Sequence, residues 1–484
     1  MTHAVVVGSG PNGLAAATVL HQAGLEVTVF EANSTLGGGA QSGDSPIPGL
    51  LQDHCAAVHP MAPQSKFFQM LDLESMGVRW RYAPIDAAHP LDDGDVALLY
   101  TSVDRTAFEL GVDAKRWKAA FGAPSAEFEK IAQHIMGPMA RVPKHPVSLA
   151  RFGMVAGLPP TMVSAFFRDA KAQALYMGVA AHALQRLDQP MVGGIGAGII
   201  TAGHSNGWPV LEAGTGRFTQ ALVAKLQEAG VTFITDHPIT QLSQLPPRDI
   251  TILDVHPSNA ADILGDAQPR MWSRLYRRFR SGPAAFKIDL AVHEGIPWRN
   301  PEVGMAGTVH LGGSAKEIAH TERKVVSNRM PERPFVLVGQ QAVADPQRAA
   351  DGLVPIYAYA HVPHNYQGDA TQHIIQQIER FAPGVRDRIA AVRTTGPQDF
   401  EKANRNFLGG DILTGAKSPT QLLGGPNLWV HPYDTGVPHT YLCSAATPPG
   451  PGIHGMGGYH AAYRALQKLD TMNSRLMQYH ASRH

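Results

Sequence analysis

The chain has 484 residues, 44% of them hydrophobic, enough for two cores, since a single core stops growing near ~250–300 residues. Forty-one Lys and Arg against 40 Asp and Glu leave a formal net charge of +1 with no run of like charge, so no nucleic-acid partner is expected. Cys55 and Cys443 stand far apart with no CxxC pair, which fits a reducing compartment and argues against disulfide-reductase chemistry.

In chain order, His3 to Val7 is a short, mostly apolar run entering a glycine-rich turn. Leu14 to Ala23 has helical composition, and Leu25 to Phe30 is rich in β-formers and ends at Glu31, which predicts a βαβ unit. With a strand starting by residue 3 and every apolar stretch broken by charge, Gly or Pro, a soluble, cytoplasmic protein is expected. Residues from about 90 to 205 read as mainly helical, with apolar patches such as Phe152-Gly153-Met154. Gly216 to Gly230 reads as a helix, and Val231 to Ile234 and Ile250 to Val255 as strands. From 270 to 365 the pattern is strands separated by Gly and Pro turns. A last strand, Thr440 to Cys443, leads into a helix from about Met456 to Leu469.

The turn Gly8-Ser9-Gly10-Pro11-Asn12-Gly13 has the spacing of a dinucleotide fingerprint. Gly8 permits the tight turn, Gly10 the close approach to a pyrophosphate, and Gly13 the packing of helix on strand. The helix opening at Pro11 turns its positive end to the phosphates, and Glu31 can accept from a ribose diol. The turn alone suits NAD as well as FAD. Leu36-Gly37-Gly38-Gly39 follows where FAD enzymes place a glycine pair beside the pyrophosphate. Gly450-Pro451-Gly452-Ile453-His454-Gly455 repeats the spacing, but too little chain follows for a second βαβ unit. It reads instead as a turn presenting the last helix, at Gly455 and Met456, to a flavin pyrimidine ring, where negative charge accumulates on reduction. No NAD(P)H site and no metal site is expected. The predicted fold is α/β: a Rossmann-type FAD-binding domain (1–90, 205–270 and 400–484) with a discontinuous substrate-binding domain of mixed β-sheet and helices (91–204 and 271–399).

These residues resemble the phytoene dehydrogenase-related branch of the carotenoid desaturase and amine oxidase superfamily of FAD enzymes. The resemblance also rests on Asp53-His54-Cys55-Ala56-Ala57-Val58-His59-Pro60, Gly207-Trp208-Pro209, Gly214-Thr215-Gly216-Arg217, Pro297-Trp298-Arg299, Tyr359-Ala360-His361-Val362-Pro363, Gly409-Gly410-Asp411 and Pro449 to Gly458. It implies FAD bound by Gly8, Gly10, Pro11, Asn12, Gly13, Glu31, Gly38 and Gly39, with Ile239 meeting the adenine and Gly455 and Met456 at the flavin ring. It implies an apolar substrate tunnel and oxidation, desaturation or isomerisation of an apolar or partly conjugated molecule. Amine oxidases carry an arginine after the glycine pair and an acid opening the C-terminal motif; here Gly39 or Ala40 and Ser444-Ala445 stand there, which argues against amine oxidation.

Histidine suits a proton acceptor near neutral pH. Of the 23 present, His59, beside the glycine triplet, His204, before Gly207-Trp208-Pro209, and His361, sharing a strand face with Tyr357 and Tyr359, are the catalytic candidates, each set against the plainer reading of a hydrogen-bonded core histidine. Trp208, Trp298, Met154, Met162 and Met177 are candidates for a tunnel wall or for core. Cys55 is either a flavin attachment point or a small buried thiol. The expected reaction is hydride removal to FAD, with oxygen or an unidentified acceptor taking the electrons. A redox-neutral double-bond isomerase and a non-catalytic flavoprotein that binds a partner are the alternatives. The apolar central helices also predict a mouth resting on a membrane surface.

Overall fold

Two sheets organise the chain, and the strands of each come from distant parts of the sequence. In this computed structural model, which describes residues 2–427 and 430–481, β1 (His3–Val7), α1 (Pro11–Gln22) and β2 (Glu26–Phe30) form the expected parallel βαβ unit. β3 (Ile85–Pro90) and β4 (Val96–Leu99) make an antiparallel hairpin. Helices follow, among them α2 (Ala114–Ala126), α3 (Pro146–Ala156), α4 (Pro160–Phe166), α5 (Ala170–Ala180) and α6 (Gly193–Asn206). α7 (Thr215–Glu228), β5 (Thr232–Ile234) and β6 (Ile250–Leu253) return to the first sheet. β7 (Ala284–His293), β8 (Ala306–Leu311), α8 (Ala315–Val326), β9 (Val336–Gly339), β10 (Leu353–Val362), α9 (Thr371–Phe381) and β11 (Ile389–Thr395) build the second. β12 (Thr440–Leu442) and α10 (Met456–Ala481) follow.

The first sheet is wholly parallel, in the order β12-β6-β1-β2-β5. Both faces are covered, so β1 is a continuous buried run, Ala4 to Val7, rather than an alternating one. α1 packs on this sheet and on α10, and residues Asn12 to Leu20 are all buried as a result. Glycine sets how closely the two helices meet. A Cβ on Gly458 would stand 1.7 Å from the Asn12 carbonyl oxygen, and one on Gly457 2.5 Å from that of Cys443.

The second sheet is mixed, in the order β11-β7-β10-β9-β8-β3-β4, antiparallel except where β8 meets β3. Strand alternation decides what each face carries. Ile356, Ala358, Ala360 and Val362 of β10 join Ile288 and Leu290 of β7, Val336 and Val338 of β9 and Ile374 and Ile378 of α9 in an aliphatic core. Tyr357, Tyr359 and His361 turn to the opposite face, with Lys287 and Leu337 in register beside Tyr359. The whole is an α/β fold: a Rossmann-like parallel sheet and a mixed sheet with helices.

Two stretches depart from the sequence reading. Val96–Leu99 is a strand inside the span expected to be helical, and the second sheet already takes its strand β3 from residues ahead of 91. Ala315–Val326 is a helix inside the span expected to be strands. Ser314 caps it, accepting from the Glu317 amide at 3.3 Å, and Ile318, Thr321, Glu322 and Val325 form a buried stripe at helical spacing. Among the described residues no helix is long and apolar enough to cross a membrane.

Candidate functional site

β1 passes into α1 through a turn that only glycine can make. Gly8 has φ +99°, and a Cβ on Gly13 would meet the Gly8 carbonyl oxygen at 2.0 Å, so the helix seats directly on the turn. Gly10 is the N-cap and offers no side-chain cap, and Pro11 occupies the first turn, which leaves the helix start suited to an anion. Glu31 is buried at the end of β2. One of its oxygens accepts from the Ser9 amide at 3.0 Å and hydroxyl at 2.6 Å, the other from the Asn33 amide at 3.0 Å. Ser9 Oγ in turn accepts from the Gly37 amide at 3.1 Å. Gly38 then crosses the turn so closely that its missing Cβ would lie 3.0 Å from Gly10 Cα, and Gly39 packs on Phe407 and Cys55. The glycine triplet, the turn and the acid therefore share one crevice, and their cradle fits a dinucleotide. Ile239 is buried in a cluster with Phe30 and Leu253, strand residues of the same sheet.

The last helix meets this crevice, but its first amides are already engaged. Asn12 Oδ1 accepts from the Gly457 amide at 3.1 Å and the Gly458 amide at 3.4 Å, and the Met456 amide donates to His454 Nδ1 at 3.2 Å. The Asn12 side chain is thus the cap of α10, because orphan amides at a helix start take the nearest acceptor. Gly455, at φ +65°, is required by packing: a Cβ there would stand 2.3 Å from Phe67. Asp254, just after β6, lies beneath the turn and accepts from the Gly13 amide at 2.9 Å. Burial first, and the nearby Glu31 charge second, push its carboxyl up to about 7.

Each of the three candidate histidines is held by partners of its own. His204 has both ring nitrogens committed, Nδ1 donating to the Tyr100 carbonyl and Nε2 accepting from Trp117 Nε1, each at 2.9 Å. Neither is left for a substrate, and burial pushes the ring down to about 4; it is a hydrogen-bonded core histidine. His59 Nε2 shares a 2.9 Å hydrogen bond with Thr215 Oγ1 at the start of α7, and burial pushes it too down to about 4. His361 Nδ1 donates to Glu322 of α8 at 2.8 Å, both groups fully buried. It ends a ladder of rings: Tyr357 to Tyr359 is 5.9 Å between centroids and Tyr359 to His361 5.8 Å. The ladder starts beside the crevice, where the Tyr357 hydroxyl donates to the Cys55 carbonyl.

Burial pushes the Cys55 thiol up to about 12, so it stays protonated and is a poor nucleophile. Trp298 belongs to the aliphatic side of the second sheet and donates to Gln340 at 2.9 Å, while Trp208 is buried beside the rings of His182 and His310. Met177 is buried, whereas Met154 and Met162 are exposed and line no interior wall. Behind the glycine triplet, Arg348 is fully buried between Asp53, at 2.6 Å, and Asp345, at 3.2 Å. Asp53 also accepts from the Thr215 amide at 2.7 Å, fixing the start of α7. Asp254, Glu322 and Arg348 escaped the sequence reading. A signal existed for the first, since Asp254 follows an apolar strand just as Glu31 does, and for the second in the helix start marked by Ser314 and Glu317.

A profile of the NAD(P)-binding Rossmann-like domain matches residues 6–72. The chain is 21% identical over 549 aligned positions to the Mus musculus "pyridine nucleotide-disulfide oxidoreductase domain-containing protein 2", covering 97% of this chain and 94% of that protein. Among solved structures, an oxidoreductase from Methanosarcina mazei superposes with a TM-score of 0.63 at 16% identity, covering 96% of this chain and 100% of the other. Putrescine oxidase superposes with a TM-score of 0.60 at 16% identity, covering 97% and 99%. At such identities the likeness to the solved structures is one of fold.

Proposed function

We propose that the protein is an FAD-dependent oxidoreductase that oxidises or desaturates an apolar or partly conjugated small molecule. The observation that carries this reading is the crevice in which Gly38 closes over Gly10 while Glu31 is held at the strand end by Ser9 and Asn33. Gly8, Gly10, Pro11, Asn12, Gly13, Gly38 and Gly39 would line the pyrophosphate, Glu31 the ribose, Ile239 the adenine, and Gly455 and Met456 the ring. Bound there, a flavin supplies a two-electron acceptor for substrate hydride, with oxygen or another acceptor renewing it. The chain's own part is to hold the diphosphate at the α1 start, to exclude water with the buried ring face of Tyr357 and Tyr359, and to position the substrate along it. The resemblance to phytoene dehydrogenase-related proteins favours a polyene-like substrate, and the shared fold with putrescine oxidase keeps an amine in the test. Two unpaired cysteines, Cys55 and Cys443, fit a cytoplasmic setting.

The test is a spectrum of the purified protein, then anaerobic mixing with polyenes, cyclic ketones and amines. The expected result is a flavin band that one substrate class bleaches and air restores. Protein that never carries flavin overturns the reading, and turnover that needs pre-reduced flavin and consumes no oxidant replaces it with isomerisation. A membrane contact is part of the same proposal. Val147 and Met154 of α3 and Met162 and Phe166 of α4 are exposed, in a segment that also carries Arg141, Lys144, Arg151 and Arg168. Flotation with anionic liposomes is expected, and protein that stays wholly in the aqueous fraction at low salt refutes the contact.

A further inference from the structure

The polar face of the second sheet carries groups that a sheet core normally lacks. Strand alternation brings Tyr357, Tyr359 and His361 of β10, Lys287 of β7, His310 of β8 and His89 of β3 to the buried side opposite the aliphatic core. Four residues along a strand span roughly 13 Å, so His361 lies that far along the face from Tyr357, which is bonded to Cys55 beside the crevice. His361 is therefore placed to hold the far end of a substrate rather than the end that reacts.

The environment of His361 says what that end carries. Its Nδ1 donates to Glu322, which turns Nε2 the other way. Among the described residues His361 Nε2 and Glu322 Oε2 have no hydrogen-bond partner, although both are buried. Each unmet buried polar atom costs about 1–3 kcal/mol. Glu322 stands in the core-facing stripe of α8 between Ile318 and Val325, where an aliphatic side chain would pack without that cost. With Nδ1 bonded to Glu322, Nε2 is left for a group from outside, and a hydroxyl can bond it. The groups around it are Tyr359 on its own strand, Phe335, Glu322 on α8, His310 on β8 and, bonded to His310 at 2.9 Å, His182, while Lys287 on β7 is bonded to Asp289 and lies over the Tyr357 ring at the other end of the face. Burial, with like charge from neighbouring histidines added, pushes His182 down to about 3 and His310 well below the usual imidazole range. A carboxylate head would add an uncompensated charge beside Glu322, whereas a hydroxyl leaves the buried charge unchanged.

We infer that His361, held by Glu322, is the recognition site for a neutral hydroxyl head, phenolic or enolic, on an elongated apolar molecule lying along Tyr359 and Tyr357. The head's O–H donates to Nε2. If it ionises, the proton moves to Nε2, the bonding pair stays on oxygen, and the imidazolium is balanced by Glu322. His361 is then a specificity residue and Glu322 its positioning residue. This rests on the flavin reading only for what lies at the other end of the molecule.

The experiment titrates β-naphthol, naphthalene and β-naphthoate into the full-length protein as purified, followed by probe fluorescence. A merely greasy pocket ranks naphthalene first. The expected order puts β-naphthol first, by roughly tenfold or more over naphthalene, and β-naphthoate last. His361→Phe is expected to restore the greasy order. Glu322→Gln keeps an acceptor for Nδ1 but removes the charge, so the pH at which bound naphthol shows naphtholate emission should rise, whereas a purely structural Glu322 would weaken all three probes alike. Naphthalene first or equal, no binding of any probe, or an unchanged naphtholate pH in Glu322→Gln overturns the inference. Flavin content is read separately. Protein lacking flavin that still ranks β-naphthol first refutes the crevice reading and leaves this one standing; flavin-containing protein that ranks naphthalene first does the reverse.

Discussion

Asp254 is held against its own charge, and replacing it with an uncharged amide exposes the cost. The unfolded carboxyl titrates near 3.8, while the folded one, buried under the glycine turn and near Glu31, holds its proton to about 7. Across that window the folded state binds the extra proton. Its stabilising effect is complete below the unfolded value and is lost as pH rises through the folded one. A separation of about three units corresponds to at most ~4 kcal/mol, of which about 2–3 kcal/mol falls between about pH 5 and pH 8. The side-chain amide introduced by Asp254→Asn cannot ionise but still accepts from the Gly13 amide. That substitution is thus expected to raise stability little at about pH 5 and by about 2–3 kcal/mol more at about pH 8, read as the shift in urea midpoint of the apoprotein. The same charge sits beneath the anion-facing start of α1, so FAD affinity of the parent protein should fall as pH rises past neutrality while that of the variant stays flatter. An offset in stability that is equal at the two pH values refutes the argument.

Three other substitutions follow from single contacts. Gly458→Ala places a Cβ 1.7 Å from the Asn12 carbonyl oxygen, so α1 and α10 must part, lowering stability by about 1–3 kcal/mol or more in thermal unfolding; an unchanged Tm contradicts the packing. Arg348→Met leaves Asp53 and Asp345 buried without their cation and should cost about 3–5 kcal/mol in denaturant unfolding; a loss under about 1 kcal/mol would show that solvent reaches the pair. Glu31→Ala frees the Ser9 and Asn33 amides and should weaken FAD binding roughly tenfold or more in a fluorescence titration, with little change in a probe bound at His361.

The elements legible from the chain alone were those whose pattern is local. β1, α1 and β2 were readable because a buried parallel strand is a continuous apolar run and because each glycine of the turn answers a nearby steric demand, as Gly13 does against the Gly8 carbonyl. Glu31 was readable for the same reason. α8 was missed although Ser314 and Glu317 announce it, since the strands around it set the reading of the whole span. Asn12 shows a contact that no local pattern announces. It belongs to the glycine turn, yet its amide oxygen caps a helix that begins more than four hundred residues later.

The Rossmann-type opening, the glycine triplet and the set of candidate histidines can be read from adjacent residues, because φ preference, apolar periodicity and short-range spacing are local properties. What each of those histidines bonds to is set by the folded chain. His204 is saturated by Tyr100 and Trp117, His59 is bonded to Thr215, and His361 is aimed by Glu322. Those partners lie between 39 and 156 positions away along the chain, and a hydrogen bond is governed by distance in space, which strand register and helix packing set.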